Sequence, residues 1–592
     1  MRPLLICLAL SFSLHAADDF PLGPDSKPQD GVAKGTLIKD THRAAGSSVF
    51  PGTGREYTLY LPAGFDKTKP AAFMVFQDGV IYQAPVVFDN LIAKKDIPPL
   101  VGVFVRPGVV PAANENALPR FNRSYEYDSI TPTYSQFLID ELLPAIEAKH
   151  GLKFSTDPNH AAISGNSSGG ICAFMVAWHR PDRFRRVFTG VGTYVGIHGA
   201  DQLPVLVRKF EPKPLRVFLQ SGTGDNNLYC GDWWMANQMM ERSLTWAGYD
   251  VNHAWGEGGH NQKHASQIFP DVMRWLWRDW QTHIEVKANP KGDSKWKGYE
   301  VVGEGKWEIL RTEARADFML KSSASGVLYT RESRGRRQDS ITEINPASGE
   351  SSSHMPQEVC FHSFTLGSEG AIFYSYCQTE DDQDDVNAKW YHIIESEQNG
   401  KIANVTKTES GTASDMVCLR DGSLIFAAGG DLFRVSEGKT QMVLPHHLGP
   451  DIFPHRLAIS PDQTQVYGLD QYSSKIGVYQ MLSDGSVRFG QKFYQLEPSG
   501  LPANVADRGG LCVDTNGWLY VATSLGIQVC DQAGRVNFII PTPKQPHDVC
   551  FGGKDLSELF IACGDAIYKR PTKAKGVVSG QQAPIKPAAP KL

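Results

Sequence analysis

Two textures of hydrophobic and polar positions divide the 592-residue chain. In the first half, short, mostly apolar runs end in glycine- or aspartate-containing turns: Ala72-Phe-Met-Val-Phe76 before Gln77-Asp78-Gly79, His160-Ala-Ala-Ile-Ser164 before Gly165, and Leu215-Arg-Val-Phe-Leu219 before Ser221-Gly-Thr-Gly-Asp225. Runs of this length with no polar alternation predict strands covered on both faces. Longer apolar segments lie between and after them. Ile171-Cys-Ala-Phe-Met-Val-Ala-Trp178 reads as a buried helix, and a further helix continues through Ile268 to Trp277. Strands that alternate with helices predict a layered α/β unit.

After Trp280 the texture changes. Lys287-Ala-Asn-Pro-Lys-Gly-Asp-Ser-Lys-Trp296 is polar and reads as part of a linker over 284–299, and beyond it the chain is strand-rich. An apolar strand signature recurs at Leu328, Ile372, Leu424, Val466, Leu519 and Leu559, at spacings of 44, 52, 42, 53 and 40 residues. Each interval holds about four short strands, so six units predict a six-bladed β-propeller over 300–573. The Pro/Ala/Lys-rich stretch 574–592 reads as a disordered tail.

The chemistry is concentrated in Gly165-Asn-Ser167-Ser-Gly169, a G-x-S-x-G pentapeptide between a predicted strand and a predicted helix. Small residues flank the serine because a tight strand-to-helix turn leaves no room for side chains, and the helix N-terminus beneath favours developing negative charge. A serine nucleophile needs a base and a group that orients the base. His260, in the glycine-rich segment Gly256-Glu-Gly-Gly-His260-Asn261, is the candidate base; His253 and His264 are its rivals. Asp225 is the candidate acid, with Asp232 in Cys230-Gly-Asp-Trp-Trp234 as the alternative or as a helix cap. Ser168 N–H and the glycine loop at Gly79 are the expected oxyanion donors.

From about Gly35 to residue 283 the chain resembles the enterochelin-esterase-like branch of the α/β-hydrolases, related to carbohydrate esterase family one. The resemblance rests on Phe76-Gln-Asp-Gly79, Arg123-Ser-Tyr-Glu-Tyr-Asp128, Phe137-Leu-Ile-Asp-Glu-Leu-Leu-Pro144, Ser164-Gly-Asn-Ser-Ser-Gly-Gly170 and Gly256-Glu-Gly-Gly-His-Asn261. It implies a three-layer α/β sandwich and serine esterase chemistry on carbohydrate, siderophore or related natural-product esters. Arg123 and Glu126 are expected to shape the acyl or alcohol site or to form a structural ion pair. Tyr229, Trp233 and Trp234 are expected to line the pocket.

The C-terminal part resembles the regucalcin and gluconolactonase propellers through Gly510-Leu-Cys-Val-Asp514-Thr-Asn-Gly517-Trp-Leu-Tyr-Val-Ala522 and Asp548-Val-Cys-Phe-Gly-Gly553. That resemblance implies an axial divalent cation held by oxygen ligands. The chain departs from the pattern. Pro454-His455-Arg456 stands where an asparagine-glycine pair would fall, Gly509 replaces an aspartate with Asp507 shifted, Asp548 replaces an asparagine, and the Glu300–Glu313 region offers no matching first-blade glutamate. His455, Asp507 and Asp548 are the remaining metal candidates. Metal-dependent lactone hydrolysis by the propeller and glycan binding beside a vestigial esterase are the alternative functions. The acidic run Glu380-Asp-Asp-Gln-Asp-Asp385 lacks the spaced ligands of a calcium loop and reads as a solvated insertion.

Composition adds limits. A net charge of −5 with both signs scattered gives no basic stripe for nucleic acid. The apolar run Leu4–Leu14, followed by Ala16-Ala17, reads as a signal peptide over 1–17 and points to a secreted or periplasmic protein. No later segment has the ~20 apolar residues of a membrane span. The ten cysteines form no C-x-x-C pair, and most read as buried thiols, with a disulfide pair among Cys360, Cys377 and Cys418 as the exception.

Overall fold

The computed structural model describes residues 20–44, 46–286, 298–312, 316–333, 339–356, 361–379, 390–409, 413–501 and 509–589. The signal-peptide segment, Cys360, Asp507 and the acidic run at 380–385 lie outside the described residues. The chain separates into two compact units, one of residues 1–207 and 212–294 and the other of residues 208–211 and 295–592.

The first unit is an α/β-hydrolase sheet. Its long strands are β1 (Thr36–Arg43), β2 (Gly54–Leu61), β3 (Pro70–Gln77), β4 (Leu100–Val105), β5 (Ala161–Asn166), β6 (Arg186–Gly190), β7 (Arg216–Gly224) and β8 (Asp250–Gly259). They lie in the order β1-β2-β4-β3-β5-β6-β7-β8, antiparallel at β1–β2 and β2–β4 and parallel from β4 onward. The helices that matter for the site are α1 (Ala84–Ala93), α2 (Ser168–His179), α3 (Trp233–Ala247) and α4 (Lys263–Trp277). Every residue of β4 and β5 is buried, and so is α2 from Ser168 to Trp178, as the mostly apolar runs require. Phe76, Tyr82, Phe88, Phe188, Phe269 and Trp277 pack into one cluster that joins β3 and β6 to α1 and α4. β8 runs through the glycine-rich Gly256–Gly259, and His260 follows it directly.

The unit begins before the Gly35 boundary read from the sequence. Asn90 in α1 donates to the carbonyls of Asp25 and Lys27 at 2.8 and 2.9 Å, and Arg274 in α4 pairs with Asp25. The ring of Phe20 stacks on His264 with centroids 4.6 Å apart. These polar anchors carry no hydrophobic period, so the sequence gives no sign that residues 20–34 clamp two helices.

The second unit is a six-bladed propeller, each blade a four-stranded antiparallel sheet. The innermost strands are Ala316–Ser322, Phe361–Leu366, Ala413–Cys418, Pro454–Ile459, Leu511–Val513 and Asp548–Gly552. All six residues of the recurring signature fall on the strand next to the innermost one of their blade. The sixth blade takes three strands from Asp548–Pro571 and its outermost from Glu308–Thr312, so the ring is closed by pairing the two ends of the domain. Apolar side chains interlock between neighbouring blades, for example Tyr520 and Phe538 against Phe551 and Leu559.

The stretch 574–589 is ordered, contrary to its composition. It crosses the C-terminal ends of the inner strands and bonds to all six blades. Thr515 N–H donates to Lys575 O (2.8 Å), Gly576 N–H to Leu556 O (2.9 Å), Ser579 Oγ to Cys418 O (2.7 Å) and Ile585 N–H to Pro461 O (2.8 Å). Gln581 receives the Ala324 N–H at 2.6 Å and donates to Gly367 O at 2.8 Å. The partners are mostly peptide groups, which sequence composition does not register. An axial cavity of about 100 Å³ has residues 577–580 in its wall. Cys418 is a buried thiol in contact with Leu419 O, at 3.4 Å.

Candidate active site

Three of the sequence-selected residues meet at the C-terminal ends of parallel strands of the sheet, the edge where open α/β sheets place ligands. Ser167 follows β5, Asp225 follows β7 and His260 follows β8. Ser167 has φ +59°, in the left-handed region, a conformation costly for a residue with a Cβ. The fold holds it there through Ser167 N–H to Gly190 O (2.8 Å) and Thr193 N–H to Ser167 O (3.2 Å).

His260 Nε2 stands 2.8 Å from Ser167 Oγ, and His260 Nδ1 stands 2.6 Å from Asp225 Oδ1. The second Asp225 oxygen accepts from Ser221 Oγ at 2.7 Å, and Asn226 N–H donates to the first at 2.8 Å. The Asp225 side chain is fully buried, whereas His260 keeps a fifth of its surface open. A buried carboxylate with this many donors holds one imidazole face, leaving the other ring nitrogen toward the serine. Asp232 does something else: its Oδ1 accepts the Met235 N–H at 3.0 Å and caps α3. His253 lies on β8 beside Glu241, and His264 is buried against Gln220 and Phe20. Burial depresses the His264 pKa.

The loop after β3 differs from expectation in one atom. Asp78 and Gly79 have φ of +66° and +87°, but Gly79 N–H donates to Val105 O at 3.0 Å and continues the ladder to β4. Gly79 is therefore not a donor to substrate. Its role is the turn, with Arg106 packed against its Cα side. Asp78 N–H precedes it and, with Ser168 N–H at the start of α2, is the candidate donor pair.

The remaining predicted site residues separate. Arg123 pairs with Asp78 through Nε and Nη2 at 2.7 and 2.9 Å and reaches Ser168 Oγ with Nη1 at 3.0 Å. Glu126 turns away and forms a fully buried pair with Arg55 at 2.8 Å, so it is structural and does not face substrate. Trp233 is buried, donating to Thr193 Oγ1 at 3.2 Å and meeting the His260 ring edge-on with centroids 5.5 Å apart. It supports the histidine from behind. Trp234 is half-buried against Trp255, and Tyr229 is 98% exposed on the 227–232 hairpin. Thr193, 3.3 Å from Ser167 Oγ, was missed by motif reading because it sits in an irregular loop with no pattern.

Among the described residues, the propeller axis does not suit the divalent cation its resemblance implies. Asp548 uses both carboxylate oxygens on backbone donors, Leu320 N–H and Val549 N–H at 2.8 Å each. Asp415 does the same with Leu457 N–H (2.9 Å) and Met416 N–H (2.9 Å), and Lys321 Nζ stands 3.4 Å from it. Burial pushes the Asp548 carboxyl up while Arg456 and Lys321 oppose that rise. His455 Nδ1 lies 3.0 Å from Leu469 O. These carboxylates are thus engaged by backbone donors and neighbouring cations, and no group of three metal-ligating side chains occurs among the described residues.

Comparisons with known proteins agree with this division. Residues 48–264 match the putative esterase family model, and residues 337–564 match that of the SMP-30/gluconolactonase/LRE-like region. An iron(III) enterobactin esterase of Dickeya dadantii (strain 3937) is 32% identical over 152 residues, 23% of this chain and 33% of the relative. A regucalcin of Sus scrofa is 30% identical over 109 residues, 18% of this chain and 35% of the relative. A gluconolactonase of Zymomonas mobilis is 29% identical over 133 residues, 21% of this chain and 36% of the relative. The chain spans about a third of the length of each. It carries an esterase-family domain followed by an SMP-30/gluconolactonase-like domain.

Proposed function

We propose that this protein is a secreted or periplasmic serine carboxylic-ester hydrolase acting through Ser167, His260 and Asp225. The observation that carries the reading is the pair of contacts at 2.8 and 2.6 Å that links the three side chains at the end of the sheet. In this mechanism His260 takes the Ser167 proton as Oγ bonds to the ester carbonyl carbon, and Asp225 holds the imidazole in the required tautomer. Asp78 N–H and Ser168 N–H stabilise the oxyanion, each such donor being worth about 3 kcal/mol. Collapse of the adduct breaks the bond to the alcohol oxygen, which leaves with the proton from His260. Water, deprotonated by the same histidine, then releases the acid.

For substrate we propose an ester of a carbohydrate, a siderophore or a related natural product. The enterobactin-esterase relative supports an acyl group of that kind, and the adjoining gluconolactonase-like domain supports a carbohydrate. No cofactor is required by the serine mechanism. The test is turnover of acetyl, feruloyl and short-chain nitrophenyl esters by the full chain and by Ser167→Ala, each with and without chelator. Turnover lost in Ser167→Ala and indifferent to chelator supports the reading. Lactone hydrolysis that chelator stops and Ser167→Ala retains would move the chemistry to the propeller.

A further inference from the structure

Asp78 brings a carboxylate to the residue that carries one of the two candidate oxyanion donors. Its oxygens pack over the first turn of α2, so close that a Cβ on Gly169 would lie 3.0 Å from Asp78 Oδ2. If an oxyanion forms between Asp78 N–H and Ser168 N–H, this carboxylate opposes it by like-charge repulsion. Its backbone turns at φ +66°, in the left-handed region that aspartate enters more readily than most residues.

One side chain meets this carboxylate. The Arg123 guanidinium grips Asp78 with two nitrogens at 2.7 and 2.9 Å, and its third nitrogen reaches Ser168 Oγ at 3.0 Å. The bidentate fork fixes direction as well as charge. It ties the loop after β3 to the first residue of α2, the two segments that carry the candidate donors. Resting on the esterase reading above, we infer that Arg123 is a positioning residue for the oxyanion site: it neutralises Asp78 and holds both donor segments in one geometry. The paired carboxylate raises the guanidinium pKa further, so the compensating charge is permanent. The Tyr127 ring, 5.8 Å from the guanidinium carbon, supports it from one side.

The test is steady-state kinetics of the full chain on a nitrophenyl ester that the wild type turns over. Arg123→Ala, Arg123→Lys, Asp78→Asn and Arg123→Ala/Asp78→Asn are compared, with thermal unfolding of each. Arg123→Ala is expected to lower kcat about 100-fold, the scale of losing one oxyanion contact, with KM within about threefold. Arg123→Lys, which keeps charge but not the fork, falls between. The double variant is expected to recover about tenfold in kcat over Arg123→Ala, because the uncompensated carboxylate is gone. Thermal unfolding separates this from a merely structural ion pair, whose loss would lower the unfolding temperature and leave kcat of the folded variant at the wild-type value. The inference is overturned by wild-type kcat in Arg123→Ala, by a loss residing in KM, or by a folded double variant no better than the single one. If Arg123→Ala does not fold, the order wild type above Asp78→Asn above Arg123→Lys decides, and its reversal overturns the inference. Retained turnover in Ser167→Ala signals failure of the esterase reading itself, separately from these outcomes, and the positioning role falls with it.

Discussion

Gly165, next to last in β5, and Gly169, in the first turn of α2, face each other so closely that a methyl group on Gly165 would stand 2.2 Å from the Gly169 carbonyl oxygen. That gap sets how sharply the chain turns at Ser167. Gly165→Ala must push α2 away from the sheet, at the ~1–3 kcal/mol typical of overpacking. A lower unfolding temperature together with at least tenfold weaker ester turnover is expected; unchanged values in both would show that the turn has slack.

The two candidate acids have different jobs and different signatures. Asp225→Asn leaves the imidazole with the wrong tautomer and is expected to cost about 10⁴ in kcat. Asp232→Asn keeps a capping side chain and should retain turnover, while Asp232→Ala should cost α3 about 1 kcal/mol of stability with kcat unchanged. Kinetics and denaturant titration on the three variants separate the roles.

Glu126 should report on stability and not on substrate. Glu126→Ala leaves Arg55 buried and unpaired, beneath two aromatic rings with Phe137 4.0 Å away. Breaking such a pair costs about 3–5 kcal/mol. Denaturant unfolding should show that loss, while the variant's KM at low temperature stays at the wild-type value.

His392 should make the propeller acid-sensitive. Both its ring nitrogens are buried without a hydrogen-bond partner, against the ring of Phe426, and burial lowers its pKa to about 4. The folded state resists protonation that the unfolded chain accepts near pH 6.5. Stability is therefore full above about pH 6.5 and falls as the pH drops toward 4, by up to about 3 kcal/mol. Unfolding temperatures measured across that range should show the slope, and His392→Leu should flatten it.

The segment crossing the propeller gives a further expectation. Stopping the chain after Lys573 removes hydrogen bonds to all six blades. The propeller's unfolding transition should move down by several degrees while ester turnover persists. An unmoved transition would make the segment a passenger.

Much of this was legible beforehand because the signals were local. Ser167 and His260 lie in glycine-marked segments next to apolar strands, and the six blade positions share one burial pattern on one strand. The rest was hidden where function uses backbone atoms. Gly79 looked like an oxyanion donor because glycine marks the turn, yet its N–H belongs to the ladder with Val105. Residues 574–589 looked unstructured because peptide groups, not side chains, fasten them. Glu126 lay in a shared motif with Arg123, but its partner Arg55 is 71 residues away and nothing in spacing announces it.

The sixth blade, built from Asp548–Pro571 and Glu308–Thr312, has a consequence for biosynthesis. Five blades can emerge from the ribosome and collapse, but the first strand must wait unpaired through more than two hundred residues of synthesis. At ~5–20 residues per second that is a delay of order ten seconds or more with an open edge exposed. The esterase-family domain precedes all of this and can finish folding first, apart from whatever depends on the later chain. Chaperone demand and truncation damage should therefore concentrate in the second half of the molecule.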